Sequence, residues 1–300
     1  MTRPPATVSV DVDPVDLHLV GYGFRGLAPD PLVYTRAVPR LLELFSSLGV
    51  RATFFVVGRD AAAHADAVRA IAAAGHEVAS HSLTHPMAFA RLPEEGKRRE
   101  LVESRAGLER AGGGRVVGFR SPNFDFDARS IAPLLDAGYR YDASAYPTPL
   151  LLPARLLLAL KSRDPAAVRG LRPWPSSWMR RPHRWAAAGR SIQEFPVSVT
   201  PRLRFPVYHT ARYFMDERRF RSLLDGFARR GEPLSYPLHA VDALGLREDG
   251  VDPRLARHPG LGRGLAAKLA LLASSIGAIA ERFDALPFAA RLEPEVGAGA

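Results

Sequence analysis

Short apolar runs alternate with amphipathic segments through the first half of the chain. The run at 52–57 has the length and composition of a buried strand, and the segments at 35–48 and 61–74 have helical periodicity. Gly49 and Gly75 follow these two segments directly, where glycine commonly ends a helix. Strands that alternate with helices usually pair in parallel, so the pattern predicts a parallel sheet or a barrel.

Asp11 and Asp13 lie at the end of the first apolar run. Val8, Val10 and Val12 alternate with polar residues, which is the period of a strand, so the two carboxylates lie on the same face. Carboxylates at such a position either cap the loop that follows or take part in chemistry at the strand end. This segment alone leaves both interpretations open.

Two histidines, His81 and His85, follow a short strand that begins after Gly75. Four positions apart, their imidazoles reach one face of a helical turn or tight loop, and imidazole is the commonest side-chain metal ligand at neutral pH. The hydroxyls of Ser82 and Thr84 are able to hold such a loop. Because this spacing also arises by chance, a metal site requires a third ligand from elsewhere.

The Asp pair supplies that third ligand. A Lewis-acid site needs three protein ligands and an open coordination position. Asp13, His81 and His85 make up such a set, which leaves Asp11 to act as a base. One aspartate and two histidines suit zinc, and cobalt or nickel is also accepted by these ligands. We therefore expect a divalent metal cofactor, with zinc first.

The pattern His-Ser-x-x-His after a glycine-led strand, with an Asp pair near the start, resembles the polysaccharide deacetylases of the NodB-homology type. Their first motif usually reads Thr-Phe-Asp-Asp-Gly, and this chain has Ser-Val-Asp-Val-Asp instead. That variant resembles a divergent Asp-x-Asp branch of peptidoglycan deacetylases, cyclic-imide hydrolases and deformylases of lipid-linked amino sugars. The resemblance implies an α/β fold, a distorted (β/α)7 barrel, with metal on Asp13, His81 and His85 and with Asp11 as base.

Further motifs follow in the family order. Arg120-Ser121-Pro122 matches the family's Arg-x-Pro motif, whose arginine usually pairs with the catalytic carboxylate. The family often has an aromatic residue next, with its backbone N–H facing the oxyanion, and Asn123 stands there in this chain. The resemblance therefore implies that Arg120 positions the base and that Pro122 and Asn123 contact the substrate.

Two later motifs complete the resemblance. The stretch at 141–144 matches an Asp motif, and 236–239 matches the closing Leu-x-x-His motif with Tyr236 in place of leucine. By resemblance, His239 is the general acid, and Asp142 orients its imidazole. The matched order covers residues 7–242 and is interrupted once.

A loop rich in glycine and proline, at 18–31, follows the Asp pair. Its Gly21-Tyr22-Gly23 permits the close approach of a ligand, and we expect Tyr22 to bind substrate. The alternative is that this loop is a plain connection.

The strand–helix pattern breaks at 147–190. This insertion contains nine basic residues and one acidic residue, so its net charge is +8. The net charge of the whole chain is +10. The insertion also contains the three tryptophans, Trp174, Trp178 and Trp185, and a leucine-rich segment. These features suit a membrane interface or lipid phosphates. Nucleic acid is a less favoured partner, and a solvated insertion is the plain alternative.

Composition limits the remaining choices. The absence of cysteine excludes disulfides and thiol chemistry. The first residues lack the apolar run of a secretory signal, and the uncharged stretch at 269–280 is too short to cross a bilayer. The length and apolar content allow one large domain or two small ones, and the resemblance implies one catalytic domain over 1–300, with a C-terminal helix and tail at 262–300. The expected location is the cytoplasm, with peripheral contact at the inner face of the membrane.

The leading functional prediction is a metal-dependent hydrolase that removes an acetyl or formyl group from the nitrogen of an amino sugar, free or lipid-linked. One alternative is a hydrolase of a small cyclic amide or imide, which needs a closed pocket instead of a basic, Trp-bearing rim. Another is a non-catalytic protein of the same fold that binds carbohydrate or nucleic acid. Loss of a ligand or of the base would favour the latter, and neither is missing from this sequence.

Overall fold

The computed structural model describes residues 2–161 and 176–293. Within these residues, a sheet with the order β6-β7-β5-β4-β3-β2-β1-β8 runs through the molecule, and β9 pairs with β1. Every pair is parallel except β6–β7. The strands are β1 (Pro5–Val12), β2 (Thr53–Val56), β3 (Glu77–Ser80), β4 (Gly118–Phe119), β5 (Tyr141–Asp142), β6 (His183–Ala187), β7 (Arg190–Glu194), β8 (Leu234–His239) and β9 (Asp284–Ala285).

Helices follow most of the strands, as the alternating sequence pattern predicts. The segments predicted at 35–48 and 61–74 correspond to α2 and α3. The α-helices are α1 (Val15–Gly21), α2 (Val38–Ser47), α3 (Ala65–Ala73), α4 (Glu94–Leu108), α5 (Ile131–Asp136), α6 (Leu151–Lys161), α7 (His209–Arg212), α8 (Glu217–Arg229) and α9 (Leu265–Arg282). Short 3-10 or π turns lie at Val33–Ala37, Gly58–Asp60, Phe89–Arg91, Glu109–Gly113, Pro122–Phe124, Ala128–Ser130, Ala240–Ala243, Pro253–Arg257 and Ala289–Arg291.

The seven parallel strands of the main path form a distorted (β/α) barrel, which confirms the predicted fold. No strand pairing joins β7 to β8 among the described residues, so the sheet is not closed there. Ser198 and Ser235 bridge this side instead. The Ser198 N–H donates to the Ser235 carbonyl at 3.2 Å, and the Ser235 N–H donates to Ser198 Oγ at 2.8 Å.

Apolar side chains fill both sides of the sheet. The larger core lies between the strands and the helices around them, and a smaller cluster groups the buried rings of Phe55, Tyr141, Phe195 and Phe288. Phe288 comes from the C-terminal segment and stacks on Phe195 with ring centroids 4.9 Å apart. Its N–H donates to Oγ1 of Thr53, the first residue of β2. The C-terminal segment therefore packs at the amino ends of the strands and leaves their carboxyl ends for the site.

The predicted insertion at 147–190 differs from the structure at its C-terminal end. The sheet resumes at β6, and Trp185 belongs to that strand, where its Nε1–H donates to Glu194 at 3.0 Å. The antiparallel β6–β7 pairing ties this part of the insertion to the barrel. Residues 162–175, which include Trp174, and the tail at 294–300 lie outside the described residues. No described helix is both long and apolar enough to cross a membrane.

Candidate metal and catalytic site

The carboxyl ends of the parallel strands bring the predicted site residues to one edge of the sheet. β1 ends next to Asp13, β3 next to His81, and β8 ends on His239. A pocket of about 160 Å³ opens there. It is lined by Asp11, Asp13, Leu17, His18, Gly21, Tyr22, His81, His85, Met87, Asn123, Phe124, His239 and His258. In α/β barrels chemistry takes place at this end of the strands.

Asp13, His81 and His85 converge as a candidate metal site. One ligand atom from each lies within 4.8 Å of the other two, and all three residues are buried. The Nε2 atoms of His81 and His85 are 3.4 and 3.5 Å from Asp13 Oδ1. That oxygen has no hydrogen-bond donor among the described residues.

The arrangement around His81 fits a cation. Its Nδ1 lies 2.8 Å from the carbonyl oxygen of Arg120, which only accepts hydrogen bonds, so Nδ1 carries the proton. Nε2 therefore presents a lone pair toward Asp13 Oδ1, and two acceptors face each other in a buried place. Because a cation satisfies both atoms at once, the residues present fit a metal ion.

Burial keeps both imidazoles in the form that binds metals. It lowers the pKa of His81 despite the nearby charges of Asp13 and Asp11. Burial also lowers the pKa of His85, to about 4. Both side chains are therefore neutral near pH 7, and a metal does not have to displace a proton from them.

Glu100 holds the loop between the two histidines and was not predicted from the sequence. Its carboxylate, on α4, accepts the N–H groups of Leu83 and Thr84 at 2.9 and 2.8 Å and the Thr84 hydroxyl at 2.6 Å. Ser82 Oγ accepts the His85 N–H at 3.1 Å, which confirms the predicted use of this hydroxyl. Ser82 and His85 both have left-handed backbone angles, with φ of 66° and 57°. These hydrogen bonds therefore hold a turn that neither residue adopts readily.

Asp11 forms a buried ion pair with Arg120. Nη1 of the arginine lies 2.6 Å from Asp11 Oδ1, and Nε donates to the Ala143 carbonyl at 3.1 Å. The guanidinium also lies over the Phe55 ring, 4.1 Å from its centroid. Burial alone would raise the pKa of Asp11, but Arg120, together with His81 and His239, holds it below its ordinary value. Asp11 is therefore an ionised carboxylate that is not part of the metal triad.

His239 reaches the same pocket from β8. Its Nε2 lies 4.0 Å from Asp11 Oδ2 and 4.0 Å from Asp13 Oδ2. The side chain is partly exposed, whereas those of Asp11 and Asp13 are buried. His239 is thus placed to contact both a ligand in the pocket and solvent.

The carboxylate that contacts the His239 segment is Asp242, which differs from the predicted pairing of His239 with Asp142. Asp242 Oδ2 accepts the His239 N–H at 3.0 Å, and its Oδ1 accepts the Tyr213 hydroxyl at 2.8 Å. Burial would raise the pKa of Asp242, but the neighbouring imidazoles, His209 foremost, hold it below the ordinary value. The turn at Ala240–Ala243 folds Asp242 back toward His239, a proximity that the i, i+3 spacing in the sequence could have indicated.

Asp142 lies at the end of β5 and has other partners. Its Oδ1 accepts the Ser144 hydroxyl at 2.6 Å, and its Oδ2 accepts the Ser144 N–H at 3.2 Å. It also forms a buried hydrogen-bonded pair with Glu194. Burial raises the pKa of both carboxyls, and the charge of Asp142 raises that of Glu194 further. Because β5 pairs with β4 and β7 and not with β8, this pair supports the sheet instead of reaching His239.

The structure places two of the three predicted substrate-binding residues at the pocket. Tyr22 and Asn123 line the pocket, whereas Pro122, in the same turn as Asn123, is buried and does not line it. Asn123 and Phe124 have consecutive left-handed backbone angles, with φ of 55° and 54°. This turn places Phe124, the next aromatic residue in the sequence, on the pocket wall.

Two further histidines, His18 and His258, line the pocket, and no sequence motif predicts them. The His18 ring lies edge-on to His239 at 5.7 Å and to His258 at 5.5 Å. Burial, followed by the charges of these histidines, lowers the pKa of His18 well below its ordinary value. No sequence pattern links His18 to residues more than 200 positions away, and only the barrel brings them together.

The comparisons with known proteins agree with this geometry. The family model for polysaccharide deacetylase matches residues 29–141, a segment that contains His81, His85 and Arg120. A peptidoglycan deacetylase of Helicobacter pylori is 31% identical over 142 residues, 45% of this chain and 47% of the relative. A chitooligosaccharide deacetylase of Rhizobium leguminosarum bv. trifolii is 42% identical over 65 residues, 22% of this chain and 30% of the relative. The chain thus spans about half, or less, of the length of these relatives.

Solved structures share the fold across nearly the whole chain. A probable polysaccharide deacetylase from Pseudomonas aeruginosa PAO1 has a TM-score of 0.57 at 17% identity, covering 95% of this chain and 88% of that one. The Puue allantoinase has a TM-score of 0.57 at 18% identity with the same coverage, 95% and 88%. These two structures support the distorted barrel. The family model, which matches residues 29–141, and the curated relatives, matched over less than half of their length, support the polysaccharide deacetylase family for this chain.

Proposed function

We propose that this protein is a metal-dependent hydrolase that removes an N-acyl group from an amino sugar. The observation that carries the proposal is the placement of an ionised, Arg120-bound Asp11 next to the buried set of Asp13, His81 and His85. A divalent cation on that set would polarise the amide carbonyl and make water a stronger nucleophile near neutral pH. The deacetylase names of the curated relatives support the substrate class.

The chain's own residues account for the proton transfers. Asp11 accepts a proton from the attacking water, whose oxygen bonds to the acyl carbon. The C–N bond then breaks, and His239 donates a proton to the leaving nitrogen, so that a carboxylic acid and an amine are released. Arg120 keeps Asp11 ionised before the reaction, because a cation at hydrogen-bond distance favours the charged carboxylate.

An assay panel tests the proposal. N-acetylated chitooligosaccharides, N-acetylated peptidoglycan fragments, formamido sugars and cyclic imides are incubated with the protein loaded with zinc, cobalt or nickel, and released acetate or formate or the opened ring is measured. We expect acid release from an amino sugar. Ring opening of a cyclic imide without release from any amino sugar would replace the proposal with the cyclic-amide alternative.

We further propose that the enzyme contacts a membrane and that its sugar is carried on a lipid. Exposed apolar side chains support this: on α6, Leu156 is 59% and Leu160 is 76% exposed. Trp178 and Met179 follow on the exposed surface, and Arg181 stands close by in sequence. Leucine and tryptophan enter the headgroup region favourably, and nearby cations attract anionic lipids. Contact with the cytoplasmic face is part of this proposal.

Vesicle sedimentation tests the membrane contact. We expect binding to vesicles that contain an anionic lipid, weakened by added salt and by a Leu156→Gln, Leu160→Gln double substitution. A Val102→Gln substitution serves as control, because Val102 is also exposed but lies on α4, outside the predicted insertion. No binding to anionic or neutral vesicles would leave the solvated-insertion alternative in place.

A further inference from the structure

An apolar groove adjoins the catalytic pocket and has no role in the chemistry described above. Its volume is about 460 Å³, within the range of about 300–1,000 Å³ usual for small-molecule sites. Tyr146 and Leu151 form part of its inner wall, and Leu157, Phe205 and Phe214 continue its lining.

The inner wall of the groove is buried, and its outer wall is exposed. Tyr146 and Leu151 are buried in a small cluster with Val197 and Val199, separate from the two larger cores. Leu157 and Phe214, by contrast, are 52% and 78% exposed. Large apolar side chains that stay exposed around a concavity mark a surface that gains free energy when an apolar ligand covers it.

Phe124 joins the groove to the catalytic pocket. Its ring lines the pocket, and it packs on Tyr146, a lining residue of the groove, with centroids 5.0 Å apart. The pocket lining includes two carboxylates and five imidazoles, whereas the described residues that line the groove include no charged side chain and are mostly apolar. The two cavities therefore suit a single ligand with a polar end and an apolar end.

A cation stands beside the groove. Arg204 precedes Phe205 in the sequence, and its Nη1 donates to the carbonyls of Trp178 at 2.7 Å and Pro147 at 3.4 Å. Pro147 lies between Tyr146 and Thr148, which both line the groove, so the guanidinium is held next to one wall of the groove. Its positive charge complements an anionic linkage between a sugar and a chain.

We propose that the groove bounded by Tyr146, Leu157 and Phe214 binds the hydrocarbon chain of a substrate whose amino sugar occupies the catalytic pocket. This inference rests on the proposed function for the sugar end, and it goes beyond membrane contact because it assigns the chain to a defined cavity. The groove would select substrates by the length of the apolar chain. A soluble polysaccharide would leave these exposed rings and leucines uncovered.

A binding measurement tests the groove without turnover. Isothermal titration calorimetry is carried out with dodecyl phosphate below its micelle concentration and with ethyl phosphate as the short-chain control. We expect dodecyl phosphate to bind and ethyl phosphate to bind at least about tenfold more weakly. Leu157→Gln and Phe214→Gln should each raise the Kd for dodecyl phosphate by about tenfold, equivalent to about 1.4 kcal/mol of binding free energy.

Leu160→Gln is the matched control. Leu160 is on the same helix as Leu157 and is more exposed, at 76%, but it does not line the groove. The control should bind dodecyl phosphate like wild type, although it loses membrane contact if the membrane proposal holds. If Leu157→Gln and Leu160→Gln lose affinity for dodecyl phosphate equally, the ligand binds to a general apolar face and the groove assignment is overturned. Equal binding of the two phosphates by wild type would overturn it as well.

An activity assay with two glycosides distinguishes failure of the groove assignment from failure of the proposed reaction. With methyl and dodecyl glycosides of N-acetylglucosamine, wild type should show a lower KM for the dodecyl substrate, and Leu157→Gln should lose this preference with the methyl substrate unaffected. If neither glycoside is hydrolysed while dodecyl phosphate still binds in the groove, the proposed reaction fails and the groove assignment stands. If both are hydrolysed with equal KM by wild type, the groove assignment fails and the reaction stands.

Discussion

Arg120 and Asp11 form an ion pair with a separation of 2.6 Å between Nη1 and Oδ1, and both side chains are fully or almost fully buried. The two residues are 109 positions apart and come from the ends of β4 and β1, which are not neighbours in the sheet. Breaking a buried pair by removing one partner typically costs about 3–5 kcal/mol, because the other charge stays buried without compensation. The pair therefore links the ends of β4 and β1 at the position of the proposed base.

Asp11→Asn should abolish turnover while the metal content stays near that of wild type. Asparagine has nearly the same shape but accepts no proton from water, so a loss of at least about 10²-fold in kcat is expected. Because the variant leaves the Arg120 charge without its partner, circular dichroism checks that it is folded, and acid release and metal content are measured on the same preparation.

Asp127→Asn is a suitable control for Asp11→Asn. Asp127 is also a buried carboxylate paired with an arginine, Arg129, and it does not line the pocket. The control should retain turnover. Loss of metal in Asp11→Asn would make Asp11 a ligand and exchange its role with that of Asp13.

Substitution of the triad should remove the metal. His81→Ala, His85→Ala and Asp13→Ala each delete one of the three atoms that lie within 4.8 Å of one another. We expect each variant to retain less than about one tenth of the wild-type metal after dialysis, since two ligands hold a divalent ion poorly. Treatment of wild type with a chelator should abolish turnover, and added zinc should restore it.

His183→Ala provides the comparison for the triad. His183 is on β6, outside the pocket, and its Nδ1 contacts only the Arg181 carbonyl, at 3.0 Å, among the described hydrogen bonds. This variant should keep its metal. If the triad variants keep their metal like His183→Ala, the ion binds elsewhere in the protein.

The sequence predicts the metal-ligand set better than it predicts the contacts that hold the site residues in place. Asp13, His81 and His85 each follow a strand, and strand-end placement is visible from apolar runs, so their convergence follows from the parallel order alone. The contact between Asp242 and the His239 backbone depends on how one turn folds back, and Glu100 reaches the histidine loop from a helix. The Glu100 contact follows from tertiary packing and has no sequence pattern, whereas the i, i+3 spacing of His239 and Asp242 is the only local signal for theirs.

The insertion shows a second limit of sequence reasoning. Charge and tryptophan content define 147–190 as one unit, yet β6 at its end pairs with β7 and belongs to the sheet. Short edge strands with alternating exposure carry a weak sequence signal, because solvent faces one side of them. Trp185 therefore supports the sheet through Glu194, although its residue type suits an interface.

His239→Ala should lower turnover by about 10²–10⁴-fold without loss of folding or metal. The imidazole contributes no strand hydrogen bond and is partly exposed, so its removal leaves the barrel intact. Circular dichroism and metal analysis check the fold and the site, and the rate is followed by acid release. Near-normal turnover would remove His239 from the mechanism.

The buried pair of Asp142 and Glu194 should make stability depend on pH. Burial and the charge of Asp142 raise the pKa of Glu194 well above its ordinary value, so the folded protein keeps a proton that the unfolded chain releases above about pH 4.3. A raised folded pKa gives stability that is fully present below the unfolded pKa and is lost as pH rises through the folded pKa. One retained proton corresponds to about 1.4 kcal/mol of unfolding free energy per pH unit within this window.

Glu194→Gln isolates this dependence. Glutamine carries no titrating proton, so the unfolding free energy of the variant, relative to wild type, should rise as the pH is raised from 4.5 to 7.5 (about 1.4 kcal/mol per unit at most). Urea unfolding at several pH values measures the difference, which cancels the contribution of the other carboxyls. As a control, Glu43→Gln changes an exposed position on α2. Its unfolding free energy should depend on pH in the same way as that of wild type. Parallel curves for Glu194→Gln and wild type would mean that the pair is fully ionised in the folded protein.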